Sequence, residues 1–132
     1  EILNVENLGS VKIDQLEKNK FDDIVIYKRA LHVVTENKRT IDAKNCMLNN
    51  DMTQFGNLMN LSHVSYSRDF EASTPDIDLL VQRSIESGAL GSRLTGGGFG
   101  GFTVSLIEKQ YYDDWYKNMR IFYAEESFFA VY

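Results

Sequence analysis

Up to Gly88 the apolar residues of this chain recur at spacings of three and four, and after it the period changes. Between Phe21 and Asn49 the positions Tyr27, Leu31, Val34, Ile41 and Leu48 keep helical spacing, with polar interruptions at Lys38 and Asn45. That pattern predicts one long helix, kinked or shifted near Glu36 to Arg39. Asn49 and Asn50 mark its end, and Asp51 is a good N-cap for a second helix. Met52, Phe55, Met59, Ser62 and Tyr66 carry that second helix to about Arg68, with Leu58 and Leu61 widening its apolar face. The short connection makes the two an antiparallel pair.

A third helix is expected from Thr74 as cap and Pro75 at the first helical position, where a missing N–H does no harm. Ile77, Leu80, Val81, Ser84 and Ile85 form its buried face, and Gly88 ends it. Ala89 to Thr95 and Phe102 to Ile107 then read as strands, the second with Phe102, Val104 and Leu106 on one face. Tyr112, Trp115, Met119 and Phe122 form an apolar stripe on a fourth helix, and Ser127 to Tyr132 suits a closing strand. Helices first, then strand, loop, strand, helix and strand, give an α+β domain with helices on one face of a small, mainly antiparallel sheet.

A chain of 132 residues is enough for one domain with a real core. Its net charge of −5, with no stripe of Lys or Arg, argues against a nucleic-acid binder. Cys46 is the single cysteine, which excludes an internal disulfide and suits a reducing cytoplasm; within a helical pattern it reads as a small buried hydrophobe. No apolar run is long enough to span a bilayer, and no signal peptide is recognisable. The chain opens on Glu1 without an initiator methionine, in keeping with a piece of something longer.

The chemistry concentrates between Gly91 and Ile107. All of residues 96 to 101 except Phe99 are glycine, five of the nine in the chain. Glycine raises the entropy cost of ordering a loop, so such a cluster needs a reason: a left-handed backbone, or close approach to another group, often a phosphate. Gly96, Gly98 and Gly101 match the dinucleotide fingerprint formally, but that fingerprint must open a helix, and here a strand follows. A Walker A loop is excluded because no Gly-Lys-Ser/Thr follows. A protein-kinase loop joins two strands, yet the HRD and DFG sequences are missing. A purely structural turn remains open, although tight hairpins need only one or two glycines. The excess favours a loop packed against a ligand or a second loop.

Gly91-Ser-Arg-Leu-Thr-Gly-Gly-Gly-Phe-Gly-Gly-Phe-Thr-Val resembles the third conserved motif of the GHMP small-molecule kinases, in its galactokinase form. Residues 29 to 40 (RALHVVTENKRT), 55 to 63 (FGNLMNLSH) and 68 to 75 (RDFEASTP) resemble the segments that precede that motif in the family. The resemblance covers roughly Phe21 to Ile107, with Ser92, Leu94 and Phe102 standing where Ala, Met and Cys are more usual. It implies a ferredoxin-like C-terminal domain with extra N-terminal helices. It further implies transfer of the ATP γ-phosphoryl group to the anomeric hydroxyl of galactose, with Mg²⁺. The family's sugar signature, phosphate loop and catalytic Asp and Arg lie upstream and have no counterpart here. The resemblance therefore implies one domain of a two-domain kinase, inactive alone, whose partner is the N-terminal kinase domain. Its share of the nucleotide site would be Thr95 and the backbone of Gly96, Gly97, Gly98, Gly100 and Gly101, with no catalytic residue and no metal ligand in this chain.

Two alternatives stay open: another GHMP sugar kinase, such as an N-acetylgalactosamine kinase, and a non-catalytic binding or regulatory module. An excised domain should also expose an apolar former interface that can pair with a second copy. Arg93 is more readily structural than phosphate-binding. His32 and His63 have no metal-ligand partner at i+4, and Asp22-Asp23, Asp113-Asp114 and Glu125-Glu126 read as helix-end or solvated charges.

Overall fold

The computed structural model describes residues 5–16 and 20–123. Helix α1 (Ile24–Leu48) starts where the Asp23 carboxylate accepts from the Val25 N–H at 2.7 Å. It runs unbroken for 25 residues, so the expected kink at Glu36 to Arg39 is absent. Lys38 is simply a solvent position, where it pairs with Asp42 one turn on. Helix α2 (Met52–Arg68) is capped by Asp51, whose side chain accepts from the Gln54 N–H at 3.0 Å. Helix α3 (Pro75–Glu86) has Thr74 as its cap and proline in its first turn, as expected; it ends before Gly88, where φ is +110°.

Strands β1 (Gly91–Thr95) and β2 (Phe102–Leu106) pair antiparallel, with Thr95 opposite Phe102 at the loop end and Gly91 opposite Leu106 at the other. Helix α4 (Tyr112–Met119) follows; it stops before Phe122, which is half exposed instead of completing the stripe. The expected closing strand at 127–132 lies outside the described residues.

Two apolar clusters and one polar chain hold these elements. Val11 and Leu16, which follow the two short 3-10 turns before α1, pack on Ala30 and Val34. Ala89, Trp115 and Met119 form a second cluster under α4, joined by Leu80 and Ile107. Between the sheet and α3 the packing is polar. The Trp115 indole N–H reaches the Ser84 carbonyl and hydroxyl at 3.2 and 3.1 Å. Ser84 donates to Ser105 at 2.7 Å, and Ser105 lies 2.8 Å from the Ser92 hydroxyl. Ser84 and Ser92 are fully buried, so this chain of hydroxyls satisfies polar atoms that would otherwise be costly.

The α1–α2 hairpin outruns the strand it packs on. Seventeen helical residues cover ~26 Å and five strand residues ~17 Å. Ile41, Met47 and Leu48 near the hairpin tip are accordingly exposed, although the periodicity places Ile41 and Leu48 on the buried face. Phe102 and Val104 share one face of β2 as expected, yet they are 64% and 46% exposed.

Candidate functional site

The glycine loop spans the open end of the β1–β2 hairpin. Its shape explains most of its composition. Gly96, Gly98, Gly100 and Gly101 have φ of +93°, +91°, +123° and +100°, and Phe99 between them sits at +59°. L-residues with side chains avoid this region, so glycine is required at those four positions. Gly98 has a second reason: a Cβ there would stand 2.6 Å from the Ala72 carbonyl oxygen and 3.0 Å from the Tyr66 hydroxyl. Gly97 differs. It lacks a left-handed φ, and among the described residues nothing lies within 4 Å of where its Cβ would be.

The loop is moored at its midpoint. The Phe99 N–H donates to the Ala72 carbonyl at 2.7 Å, in the α2–α3 connection. Ala72 is 1% exposed, whereas the Phe99 ring is 76% exposed. Thr95, Gly96, Gly97 and Gly101 line the exposed outer side of the loop, with Gly98 and Gly100 half-buried. The six candidate residues thus lie together at the end of β1 and in the turn that follows it, where the glycines expose main chain and Thr95 and Phe99 are exposed beside them.

Arg93 lies elsewhere. Its Nη1 stands 3.6 Å from Glu36 Oε2 on α1, and its Nε donates to the Leu94 carbonyl at 3.1 Å. Glu36 also accepts from Ser62 at 2.5 Å and pairs with Arg39. Burial alone would raise the Glu36 carboxyl; the Ser62 hydrogen bond and the charges of Arg39 and Arg93 outweigh it and hold the pKa below the ordinary value. Arg93 is therefore part of a structural ion network.

Both histidines are structural too. His32 Nδ1 lies 3.0 Å from the Ser65 hydroxyl, which donates to Asp69 at 2.9 Å. His63 Nδ1 accepts from the Leu94 N–H at 3.3 Å, which places its proton on Nε2, 3.2 Å from Asp78 Oδ1 and off the line of an ideal hydrogen bond. Burial lowers both imidazole pKa values, against the opposing pull of Glu36 on His32 and Asp78 on His63. Among the described residues no group of three His, Cys, Asp or Glu side chains could hold a metal ion. Asp23 serves as the α1 cap, and Asp113 and Asp114 lie in the first turn of α4, as helix-end charges should; Glu125 and Glu126 fall outside the described residues.

Sequence reasoning missed the residues that support the loop. Ala72 acts through its carbonyl, which no side-chain pattern reveals. Arg29 on α1 donates to the Asp69 carbonyl and pairs with Glu71 at 2.6 Å. A positively charged residue on an otherwise half-buried face of α1 was the available signal.

Comparison with known proteins agrees with this geometry. The family described as GHMP kinases C terminal matches residues 43–124. A galactokinase of Clostridium acetobutylicum is 40% identical over 139 aligned residues, covering 99% of this chain and 36% of that protein. One from Fusobacterium nucleatum is 41% identical, covering 95% of the chain and 33% of that protein. The crystal structure of Lactococcus lactis galactokinase complexed with galactose superposes with a TM-score of 0.82 at 31% identity, over 88% of this chain and 31% of that one. The chain thus spans about a third of the length of these relatives. On the match to the family and the shared α+β architecture, the chain belongs to the GHMP kinases: it is their C-terminal domain, homologous to bacterial galactokinases over most of its length.

Proposed function

We propose that this chain is the C-terminal domain of a galactokinase, and that Thr95 and Gly96 to Gly101 form one wall of the ATP site beside the phosphates. Gly97 carries the reading. Neither its backbone angle nor any neighbour among the described residues requires glycine there. A close approach by a group from outside the domain would give glycine a reason there. Backbone N–H groups presented by a turn suit an anion, and phosphoryl transfer depends mainly on positioning and on charge stabilisation. Mg²⁺ would neutralise phosphate charge, with its protein ligands expected from the N-terminal part of the kinase.

The sugar site, the catalytic groups and the remaining nucleotide walls would come from an N-terminal domain. Exposed Phe99, Phe102 and Val104, next to the loop, are apolar surface for that domain to cover. Alone, the chain is expected to be catalytically silent. The test joins this chain to the N-terminal two-thirds of the Clostridium acetobutylicum galactokinase and follows ATP-dependent phosphorylation of galactose. Turnover by the fusion and none by the separate chain is the expected result. Turnover by the separate chain, or a cooperatively folded fusion that phosphorylates no galactose, would overturn the assignment.

A further inference from the structure

We propose that Arg29 and Glu71, on elements remote from the hairpin, are positioning residues for the glycine loop. The inference rests on the reading of that loop as a wall of the nucleotide site. It starts from two strained residues. Among the described residues, Asn50, Glu71 and Phe99 are the non-glycine positions with positive φ; Asn50 ends a helix, where this is ordinary. Phe99, at +59°, donates the hydrogen bond to the Ala72 carbonyl, and Glu71, at +55°, immediately precedes that acceptor. Such residues hold that conformation only where their surroundings impose it.

For Glu71 the restraint is visible. Arg29 Nη2 contacts its carboxylate at 2.6 Å, Lys28 Nζ stands 3.7 Å from the other oxygen, and both cations keep the carboxyl pKa low, Arg29 foremost. Through its other nitrogen Arg29 donates to the Asp69 carbonyl, and its guanidinium lies 5.7 Å from the Phe70 ring centre. One side chain thus grips three successive residues of the α2–α3 connection. From the inner side Ser65, itself beside His32, holds the Asp69 carboxylate. Gripped at 69, 70 and 71, the connection has one direction left for the Ala72 carbonyl, and that carbonyl fixes the middle of the loop. A forked guanidinium can make these contacts together; a lysine ammonium is a single point.

The test reads backbone amide exchange at Phe99 in this chain, in Glu71→Gln, Glu71→Gly, Arg29→Met and Arg29→Lys. Glycine at 71 removes the ion pair but tolerates the left-handed backbone, which separates the two contributions. Exchange at Phe99 should rise about tenfold in Glu71→Gln and Arg29→Met, with amides of α4 unchanged and partial recovery in Arg29→Lys. In the galactokinase fusion, the same two variants should raise KM for ATP about fivefold and leave kcat and KM for galactose nearly unchanged. Unaltered Phe99 exchange in Glu71→Gln and Arg29→Met overturns the proposal whatever the kinase does. Faster exchange with an unaltered KM for ATP upholds the clamp and overturns the loop's role at the nucleotide.

Discussion

Gly56, in the second turn of α2, and Gly91, the first residue of β1, touch backbone to backbone. A Cβ on Gly91 would stand 2.3 Å from the Gly56 carbonyl oxygen, and one on Gly56 would stand 2.5 Å from the carbonyl oxygen of Leu90. Neither obstacle can swing aside, because both are main chain. This approach lets α2 reach the outer edge of β1, where the Asn60 side chain accepts from the Ser92 N–H at 2.9 Å and His63 accepts from Leu94. Helix side chains thereby satisfy strand N–H groups that face away from β2.

Gly56→Ala and Gly91→Ala should each destabilise the domain by about 2–3 kcal/mol, the usual cost of overpacking. The double variant should cost less than the sum, because the first methyl already forces the helix and strand apart. Urea denaturation of the three variants measures both quantities. Additive losses would mean that the two contacts are independent.

The glycine loop separates structural from functional glycine. Gly98→Ala combines a positive φ with a clash at Ala72, and should lower stability by about 1–3 kcal/mol. Gly97→Ala should leave stability within about 0.5 kcal/mol of the parent, since no described residue opposes a methyl there. In the galactokinase fusion Gly97→Ala should nonetheless raise KM for ATP. Thermal melts and steady-state kinetics on the two variants check this; a kinetically silent Gly97→Ala would return the loop to a structural turn.

What the amino-acid sequence disclosed here is mostly local chemistry. Asp51, Thr74 and Pro75 announce helix starts because a cap bonds within its own first turn. The glycine run announces an unusual backbone for the same reason. Contacts between distant segments were silent. Nothing in a helical Gly56 names Gly91 as its neighbour, and Ala72 has no side-chain group to advertise its hydrogen bond. Polar Lys38 and Asn45 suggested a break in α1, yet a helix packed along one side tolerates polar residues on its others. His63 was legible only as a histidine without a metal-ligand partner at i+4; its service to the β1 edge depends on a packing angle that no periodicity encodes.

The hydroxyl chain through Ser84 should behave as a unit. Ser84→Ala leaves Ser105 without its donor and removes one acceptor from Trp115, and is expected to cost about 1–3 kcal/mol. Ser84→Ala and Ser105→Ala together should show a coupling energy of at least about 0.5 kcal/mol. Trp115 is the chain's one tryptophan, so its fluorescence reports directly on α4 during denaturation. Strict additivity would dissolve the unit into separate bonds.

Acid should weaken the fold in two stages. His32 and His63 have pKa values lowered from 6.5 by burial, so between that value and their folded pKa the unfolded chain binds protons that the native state refuses. Stability is proportional to that difference in its slope, so it is fully present above about pH 6.5 and falls as pH drops below it. Glu36 and Glu71, lowered from 4.5, add a second loss that begins near that value and continues below it. The groups facing His32 are Glu36, Arg39, Asp69 and Arg93; those facing His63 are Asp78 and Arg93. Asparagine places an amide near the position of Nδ1 without a titrating ring: its oxygen accepts from the Leu94 N–H at position 63, and its NH₂ donates to the Ser65 hydroxyl at position 32. His32→Asn/His63→Asn should therefore have a lower Tm at neutral pH, yet one that hardly changes between pH 7.5 and 5.5, while the parent's Tm falls over that interval. Equal slopes in parent and variant would remove the histidines from the first stage and leave acid sensitivity to the carboxylates alone.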